Sequence, residues 1–233
     1  MYTLFHLAHT NGDTVMRALA WEFPNDPSLA SADRQFLLGP SLLITPVLEQ
    51  GANSVNGVFP GVANGEIWYD WYTGSAVNAS AGENVTIAAP LGHIPVYVRG
   101  GSVLPMQEPA YTTALARKNP WGLLVALNGE GSASGQLYVD DGESLVQNAT
   151  LNVEFVASHG SLYASATGLF KDTNALANVT VMGVASRPGN VTLNGARVSG
   201  VNYNSTSGML SVTGLNNATS SGAWSSDWVL RWA

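Results

Sequence analysis

Carboxylates are the side chains of this sequence best suited to hydrolytic chemistry, and they form one cluster, Asp140-Asp141-Gly142-Glu143. General acid–base hydrolysis needs such groups positioned together on one substrate. Here the cluster directly follows an apolar run, and adjacent residues of a strand point to opposite faces of a sheet. Asp140 and Asp141 are therefore poorly arranged to share a substrate. The sequence favours a capped hairpin turn at this point over a catalytic pair.

Two further groups of polar residues have suitable types but lack the neighbours that chemistry needs. Asp70 lies between Tyr69 and Trp71 and could bind a sugar hydroxyl while the rings stack on the sugar, although a packed hairpin is favoured. His6 and His9 are three residues apart, a spacing that could face a metal ion from a helix. Because no third ligand lies nearby, packing or capping is the favoured role of both histidines.

Composition excludes several other kinds of site and partner. The sequence contains no cysteine, which rules out disulfides, thiolate metal sites and cysteine nucleophiles. We predict that this chain holds no catalytic residue, no cofactor and no metal ion. A net charge of −7 without any basic stripe argues against nucleic acid. No apolar run approaches the ~20 residues that cross a bilayer, so a membrane partner is not expected either.

The pattern Asn-x-Ser/Thr recurs seven times, whereas chance pairing of these residue types predicts about three occurrences. The excess favours an N-glycosylated protein of the secretory pathway, with Asn-rich turns as the accidental alternative. Residues Met1–His6 lack the features of a signal peptide, so export would depend on a longer precursor or on a different natural start. The predicted glycosylation sites are Asn78, Asn84, Asn148, Asn178, Asn190, Asn204 and Asn217.

The first 40 residues predict a helix–strand–helix unit. Apolar spacing indicates a helix over Tyr2–His9, with Gly12 as its C-terminal cap. The mostly apolar Thr14–Phe23 predicts a buried parallel strand, and Ser31–Leu38 a brief helix stopped by Gly39-Pro40. We interpret residues 1–40 as the last unit of an incomplete (β/α)₈ barrel, since a full barrel needs about 250 residues. Lacking neighbours, that strand would leave an apolar patch exposed.

From residue 41 onward, short apolar runs separated by Gly, Asn and Pro predict antiparallel β-structure. Met106–Trp121 is the best linker candidate, and Asp141-Gly142 and Asn194-Gly195 are hairpin-turn dipeptides. The predicted fold is thus mainly β, a barrel remnant followed by two β-sandwich-like domains, proximal over 41–115 and distal over 116–233. The predicted strands are Leu42–Val47, Glu66–Trp71, Val85–Ala88, Ile94–Val98, Leu123–Leu127, Ser134–Asp140, Leu151–Ala157, Ser161–Thr167, Asn178–Gly183, Asn190–Leu193 and Asp227–Trp232.

The most distinctive string is Leu91–Pro105, LGHIPVYVRGGSVLP. A short apolar strand is followed by Arg99 and by Gly100-Gly101, which permit a sharp bend, and extended chain then resumes. We predict His93 to be a turn residue and Arg99 to pair with a buried carboxylate or carbonyl. As a string, the segment closely resembles the IPV-(aromatic)-VRGGS-(aliphatic)-LP signature of glycoside hydrolase family 31.

Further segments resemble the same family in the same order. Val15–Pro24 resembles the end of the family's barrel, and Gln35–Leu48 resembles the passage out of it. Trp68–Gly74 resembles a hairpin before the RGG corner, and Tyr138–Gly142 resembles a hairpin of the more distal domain. The remainder, to Trp232, is similar to the tail of secreted fungal α-glucosidases of this family.

The resemblance implies that the chemistry lies outside this chain. The family's nucleophile and acid/base are Asp residues of W-x-D-M-N-E and G-D-N type motifs on barrel strands, and neither string occurs here. The chain would be an inactive structural part of a retaining, exo-acting α-glucosidase that hydrolyses terminal non-reducing α-linked glucose in maltose- or starch-type substrates. Its partner would be the N-terminal, catalytic-barrel portion of its own precursor, and the α-glucoside would be reached only through that portion.

Two alternatives stay open at this point. One is an autonomous, non-catalytic carbohydrate-binding β-sandwich, and the other is a fragment from a misplaced start with no separate existence. Aromatic side chains could stack on sugar rings, although core packing is their favoured role. These aromatic residues are Trp68, Tyr69, Trp71, Tyr72, Trp121, Trp224, Trp228 and Trp232.

Overall fold

The computed structural model describes residues Met1–Ala233 and is mainly β, with 37% of the residues in strands and 10% in helices. The predicted mainly-β class is confirmed. The residues divide into two compact units, Thr3–Gly100 with Met1, and Gly101–Ala233 with Tyr2. None of the helices has the length and apolar character needed to span a membrane.

The first unit contains a five-stranded antiparallel sheet and a separate two-stranded sheet. Its helices are α1 (Tyr2–Asn11) and α2 (Leu19–Glu22), with 3₁₀ turns at Pro27–Leu29 and Val62–Asn64. Its strands are β1 (Met16–Arg17), β2 (Phe36–Leu38), β3 (Leu42–Ile44), β4 (Ser54–Gly57), β5 (Trp68–Asp70), β6 (Val85–Ala88) and β7 (Val96–Arg99). The larger sheet has the order β1-β2-β3-β7-β5, and β4 pairs with β6.

A compact apolar core lies beneath these sheets. Trp68 is its largest fully buried side chain, and its indole N–H donates to the carbonyl of Pro60 at 2.9 Å. Leu37 and Leu43, from the neighbouring strands β2 and β3, are also fully buried. By contrast α1 has no buried residue. It ends as predicted at Gly12, which has a φ of 75° and forms a left-handed cap. The backbone N–H of Gly12 donates a hydrogen bond to the carbonyl of Ala8.

The predicted parallel strand over Thr14–Phe23 is wrong. Only Met16–Arg17 is extended, and it pairs antiparallel with Leu37 and Leu38 at the edge of the sheet. The chain then turns into α2, which buries Leu19 completely. A short apolar run does not distinguish a strand from a buried helical turn, because both bury most of its side chains. The sequence also predicted that this strand would have no neighbouring strand, whereas β1 pairs with β2.

The predicted helix over Ser31–Leu38 is also wrong, because no residue of this range is helical and Phe36–Leu38 forms β2. The side chain of Leu37 is buried between two less buried neighbours, which is the period of a strand. Gly39, at a φ of 57°, then turns the chain so that Leu38 pairs with Leu42 in β3. Propensity favoured the helix, and cross-strand pairing decided the outcome.

The second unit is one sheet of eleven strands. The strands are β8 (Ser102–Gln107), β9 (Trp121–Ala126), β10 (Ala133–Val139), β11 (Leu151–Ser158), β12 (Ser161–Gly168), β13 (Leu176–Met182), β14 (Val191–Leu193), β15 (Ala196–Arg197), β16 (Gly200–Asn204), β17 (Met209–Thr213) and β18 (Trp228–Trp232). Their order is β15-β14-β18-β12-β11-β10-β8-β9-β13-β17-β16. Most pairs are antiparallel, but β8–β10 and β9–β13 are parallel, which the antiparallel prediction missed.

The sheet curls so that strands distant in its order share one core. Trp224, which follows β17, lies 5.9 Å from Trp121 of β9, 5.4 Å from Phe155 of β11 and 6.2 Å from Trp228 of β18, measured between ring centroids. All four rings are buried. In a flat sheet β9, β11 and β18 would be too far apart to contact the same side chain. The contacts of Trp224 with all three strands therefore require the sheet to be curled.

The two turn predictions of the second unit have different outcomes, and a third turn was not predicted. Asn194-Gly195 forms the predicted two-residue turn between β14 and β15, with positive φ at both residues. Asp141-Gly142 does not, because β10 and β11 pair as far as Val139 and Leu151 and a longer loop joins them. The unpredicted turn His159-Gly160 joins β11 to β12 with φ values of 48° and 70°.

The proposed linker, Met106–Trp121, holds the end of β8, the short helix α3 (Thr113–Ala116) and the first residue of β9. Gln107 anchors it by donating to the carbonyls of Arg117 and Asn119. The compact units divide at Gly100–Gly101. The division of the chain into domains at residues 40 and 115, and the origin of residues 1–40 in a barrel, stay predictions.

Candidate functional site

Arg99 is the centre of the most connected polar site in the first unit. It is the last residue of β7, and its Nε donates to Oε2 of Glu66 at 2.9 Å while Nη2 contacts Oε1. A third bond joins Nη1 of Arg99 to Oε1 of Glu22 at 3.0 Å. The guanidinium lies 4.7 Å from the ring centroid of Phe23, which adds a cation–π contact. Arg99 thus pairs with two carboxylates, which are partly buried rather than fully buried as expected, with side chains 17% and 26% exposed.

The network continues towards the beginning of the chain through Glu22. Its second oxygen, Oε2, accepts from Nη1 of Arg17 at 2.8 Å. Arg17 also donates through Nε to the carbonyl of Thr14 at 2.7 Å and lies 3.8 Å from Asp13. The side chains of Arg17 and Glu22 are only 11% and 17% exposed, so solvent screens this pair less than a surface ion pair.

The electrostatics of this site suit a clamp. The hydrogen bond to Glu66 raises the pKa of Arg99 above its ordinary value, against the opposing effect of burial. A guanidinium that stays charged can neither supply nor remove a proton. Both oxygens of Glu22 and both of Glu66 are engaged by guanidinium groups in charge-assisted hydrogen bonds. The arrangement joins β7 and α2 to the segments just before α2 and just before β5, and it leaves neither Glu22 nor Glu66 free as a nucleophile.

Sequence reasoning found Arg99 but missed its partners Glu22 and Glu66, and it also missed Arg17, which pairs with Glu22. A weak signal is present in a chain of which only 11% is charged. Glu22 stands between two aromatic residues, and a carboxylate inside an apolar run is expected to be paired when the run is buried. The choice of partner depends on contacts between residues 77 positions apart, which no local pattern contains.

The Asp140–Asp141 cluster lies in a loop capped by its own hydrogen bonds, whereas the capped hairpin turn that the sequence favoured does not form. The buried Asp140 accepts from the amide of Gly142 at 2.8 Å and from the hydroxyl of Tyr2 at 2.7 Å. Exposed Asp141 accepts from the amides of Glu143 and Ser144, each at 3.0 Å. These bonds, led by the Ser144 hydroxyl, lower the pKa of Asp141 to about 2. Both carboxylates therefore order the loop.

Arg117 holds the same loop from outside. Its Nη1 donates to the carbonyl of Asp141 at 2.9 Å, and Nη2 contacts the carbonyl of Asp140. Gly142 has a φ of 72°, and a Cβ atom at this position would lie 1.4 Å from Nη1 of Arg117. Glycine is therefore favoured by the backbone conformation, and any side chain here would also displace the guanidinium of Arg117.

The other polar candidates also have structural partners. Asp70 accepts from the amides of Tyr72 and Thr73 at 3.0 and 2.7 Å, which caps the turn after β5. The amide of His93 donates to Pro90 in a turn, and its ring lies 4.6 Å from that of Tyr72. His6 and His9 lie on α1, and the chain contains no group of three or more His, Cys, Asp or Glu arranged to hold a metal ion.

Aromatic side chains mostly pack inside the two units. Tyr72 is 54% exposed, and Trp71 is half-buried. The remaining six aromatic side chains are buried, so a sugar ring could not stack on them, and core packing is their main role. The buried members of the set are Trp68, Tyr69, Trp121, Trp224, Trp228 and Trp232.

The predicted glycosylation sites fall into two groups. Asn178 lies half-buried within β13, which is flanked by β9 and β17 on either side. The others are exposed to solvent and lie at strand ends or in loops. These exposed sites are Asn78, Asn84, Asn148, Asn190, Asn204 and Asn217.

Two open clefts lie on the first unit. The larger has a volume of ≈ 590 Å³, and its walls include Arg34, Leu48, Glu49, Val55 and Asn84. The smaller, of ≈ 360 Å³, borders the ion-pair network and is lined by residues that include Glu22, Phe23 and Phe59. In the larger cleft Glu49 is paired with Arg34 at 3.2 Å, and in the smaller Glu22 is held by two arginines.

Comparison with known proteins identifies the family of part of this chain. Residues 12–104 match the family model described as the glycosyl hydrolase family 31 C-terminal domain. This part of the chain is a family 31 C-terminal domain. The family resemblance of the sequence is thereby confirmed. The matched range includes the complete Arg99 ion-pair network and both clefts.

Similarity to family 31 proteins extends over nearly the whole chain. Over 99% of its length it is 63% identical to an α-glucosidase of Aspergillus niger and 49% identical to glucoamylase 1 of Schwanniomyces occidentalis. It spans 24% of each of these relatives. The crystal structure of a glucosidase II α subunit has the same fold, with a TM-score of 0.84 at 24% identity, covering 100% of this chain and 27% of that one.

Proposed function

We propose that this chain is the C-terminal, non-catalytic part of a retaining α-glucosidase of family 31. The 63% identity with the Aspergillus niger α-glucosidase along 99% of the chain carries the proposal. The structural roles of Glu22, Glu66, Asp70, Asp140 and Asp141 support it, because each of these carboxylates is engaged in an ion pair or a cap.

The whole enzyme would release terminal, non-reducing α-linked glucose from maltose- or starch-type substrates. The name of the Schwanniomyces occidentalis relative, glucoamylase 1, supports a starch-type substrate. Retention requires two carboxyl groups about 5–5.5 Å apart, one as nucleophile and one as acid/base. In this proposal the catalytic-barrel portion of the same precursor supplies both, and substrate meets this chain only through that portion.

The role of this chain would be to close and cover that catalytic portion. Residues 1–40 would form the last barrel unit, 41–115 a proximal β-domain and 116–233 a distal one. Exposed apolar side chains near the start of the chain support a covered surface there. Phe5 is 56% exposed, and Met16 and Trp21 are each 61% exposed, so three large apolar side chains are available for contact with another surface.

We further propose that the protein is secreted and N-glycosylated. Seven sequons, six of them with exposed asparagines, support this localisation. A glycan is bulky and polar, so it requires a solvent-exposed attachment site in the folded protein.

A chimaeric enzyme tests the proposed role. The quarter of the Aspergillus niger α-glucosidase that matches this chain is replaced by residues 1–233, and hydrolysis of an aryl α-glucoside is measured. We expect activity in the chimaera, and none in the truncated relative or in the isolated chain. Trp21→Asp in the chimaera should lower the yield of active enzyme, whereas Tyr111→Asp, at a fully exposed residue of the second unit, should not.

Two outcomes would contradict the proposal. Turnover by the isolated chain that is lost on replacing Asp70 or Asp141 would place catalysis within residues 1–233. Tight binding of maltodextrin by the isolated chain, measured by affinity electrophoresis, would favour the alternative of an autonomous carbohydrate-binding module.

A further inference from the structure

Asn84 differs from the other sequon asparagines in its surroundings. It directly precedes β6, and the sequon threonine, Thr86, donates through its hydroxyl to Oδ1 of Asn56 on the paired strand β4 at 3.0 Å. This hydrogen bond ties the sequon to the two-stranded β4–β6 sheet. Asn84 also lines the larger cleft of the first unit, whereas none of the other six sequon asparagines lines either cleft.

The cleft beside Asn84 has the mixed lining that suits a sugar. Leu48, 57% exposed, and half-buried Val55 supply apolar surface for the C–H face of a ring. Arg34 and Glu49 form an ion pair whose side chains are 62% and 69% exposed, so both keep polar atoms available for hydroxyl and acetamido groups. Pockets that bind small molecules combine these features, an apolar wall with a few polar groups.

We propose that this cleft holds the core of an N-linked glycan attached to Asn84. In the attachment, Nδ2 of Asn84 bonds to the anomeric carbon of a polyprenyl-diphosphate oligosaccharide and loses one proton. The bond from that carbon to the diphosphate oxygen breaks, and the carrier diphosphate leaves with the electron pair. The first sugar residues then cover Leu48 and Val55, so that the glycan completes the surface of the first unit. This inference rests on the glycosylation proposed above.

The test compares glycan release at two sites of the full-length polypeptide, secreted from a fungal host. Glycopeptide mass spectrometry first establishes occupancy at each sequon. An endoglycosidase that cleaves within the glycan core is then applied to the folded protein. We expect release from Asn84 to be about tenfold slower than from Asn148, an exposed loop site, because the enclosed core must first leave the cleft. After denaturation the two rates should be equal.

A matched pair of variants separates enclosure by the cleft from local sequence effects. Leu48→Ser removes the apolar wall and should raise the release rate at Asn84 to that at Asn148. Thr86→Ser keeps the sequon and a hydroxyl group beside Asn56, and it should leave release slow.

Each remaining outcome contradicts a different statement. Occupancy at other sequons with none at Asn84, or release from Asn84 as fast as from Asn148, would overturn the enclosed glycan and leave the glycoprotein proposal intact. Absence of glycan from all seven sequons would overturn both proposals.

Discussion

The guanidinium of Arg99 engages both carboxylate oxygens of Glu66, with Nε 2.9 Å from Oε2 and Nη2 in contact with Oε1. This two-pronged pair joins the last residue of β7 to a residue just before β5, and its side chains are only 20% and 26% exposed. Arg99 also holds Glu22 of α2, 77 residues earlier in the chain. One side chain therefore ties three elements of the first unit together.

Replacing Arg99 by Met should lower the free energy of unfolding by about 2–4 kcal/mol, because two partly buried carboxylates lose a partner. Arg99→Lys should cost less but still destabilise, since an ammonium cannot form the two-pronged bond. Urea unfolding followed by tryptophan fluorescence measures both. The control is Arg34→Met, which breaks an exposed ion pair and should cost no more than about 1 kcal/mol. If Arg99→Met and Arg34→Met lowered the free energy of unfolding equally, the stabilising role of Arg99 would be refuted.

Gly142→Ala should be more destabilising than Gly131→Ala. Both glycines have a φ of 72°, so each substitution carries the same left-handed cost of about 1–2 kcal/mol. A Cβ atom at Gly142 also meets Arg117, whereas nothing lies within 4 Å of one at Gly131. In an Arg117→Ala background, Gly142→Ala should cost no more than Gly131→Ala does in the wild type. Chemical denaturation of the wild type, of Gly142→Ala, of Arg117→Ala and of the double variant gives the coupling energy between the two positions. No excess at Gly142 would mean that Arg117 moves aside freely.

Trp224→Phe should be tolerated better than Trp228→Phe. The two stacked rings lie in one core, but the indole N–H of Trp228 donates to the carbonyl of Ala223 at 2.9 Å, whereas that of Trp224 has no acceptor. Phe at position 228 leaves a buried carbonyl unpaired and should cost about 1 kcal/mol more than at 224. Trp224→Ala should cost about 3–5 kcal/mol through the cavity that it leaves. Thermal unfolding ranks the three variants, and a reversed order for the Phe pair would contradict this account.

The loop after β10 should loosen in acid. Hydrogen bonds from Ser144 and from the amides of Glu143 and Ser144 lower the pKa of Asp141 from 3.8 to about 2. The pKa of Asp141 is lower in the folded protein than in the unfolded chain. The ionised carboxylate therefore stabilises the folded loop fully above about pH 4, and this stabilisation is lost as the pH falls through about 2. Carboxyl ¹³C NMR measures the titration directly. Ser144→Ala should move the pKa of Asp141 back towards 3.8, and an unchanged midpoint would show that the hydroxyl plays no part.

Asn178 should carry no glycan in the folded, secreted protein. It lies in β13 opposite Gly122 of β9 and Thr213 of β17, and its Oδ1 is only 2.8 Å from where a Cβ on Gly122 would stand. A sugar at this position would prevent β13 from packing between its two neighbours. Glycopeptide mapping should find the Asn178 peptide unmodified and the exposed Asn148 peptide modified. An occupied Asn178 in correctly folded protein would contradict the prediction.

Local patterns are sufficient for much of the fold. Gly12 and Asn194-Gly195 are recognisable as a helix cap and a hairpin turn because these conformations need residues that tolerate a positive φ. The strand predicted over Val85–Ala88 has the bounds that the structure shows. The string around Arg99 is distinctive enough by itself to indicate the family. Such features depend on a few adjacent residues, so they can be recognised without knowledge of the packing.

Only the tertiary structure decided which distant residues meet. The residue types predict a helix over Ser31–Leu38, whereas pairing with Leu42–Ile44 makes Phe36–Leu38 a strand. The partners of Arg99 and the aromatic neighbours of Trp224 come from elements far apart in the chain. The sequence by itself determined the turns, the strand rhythm and the family resemblance. Burial and long-range pairing decided the ion-pair network and the cleft beside Asn84, because the free energies involved arise only when those elements pack.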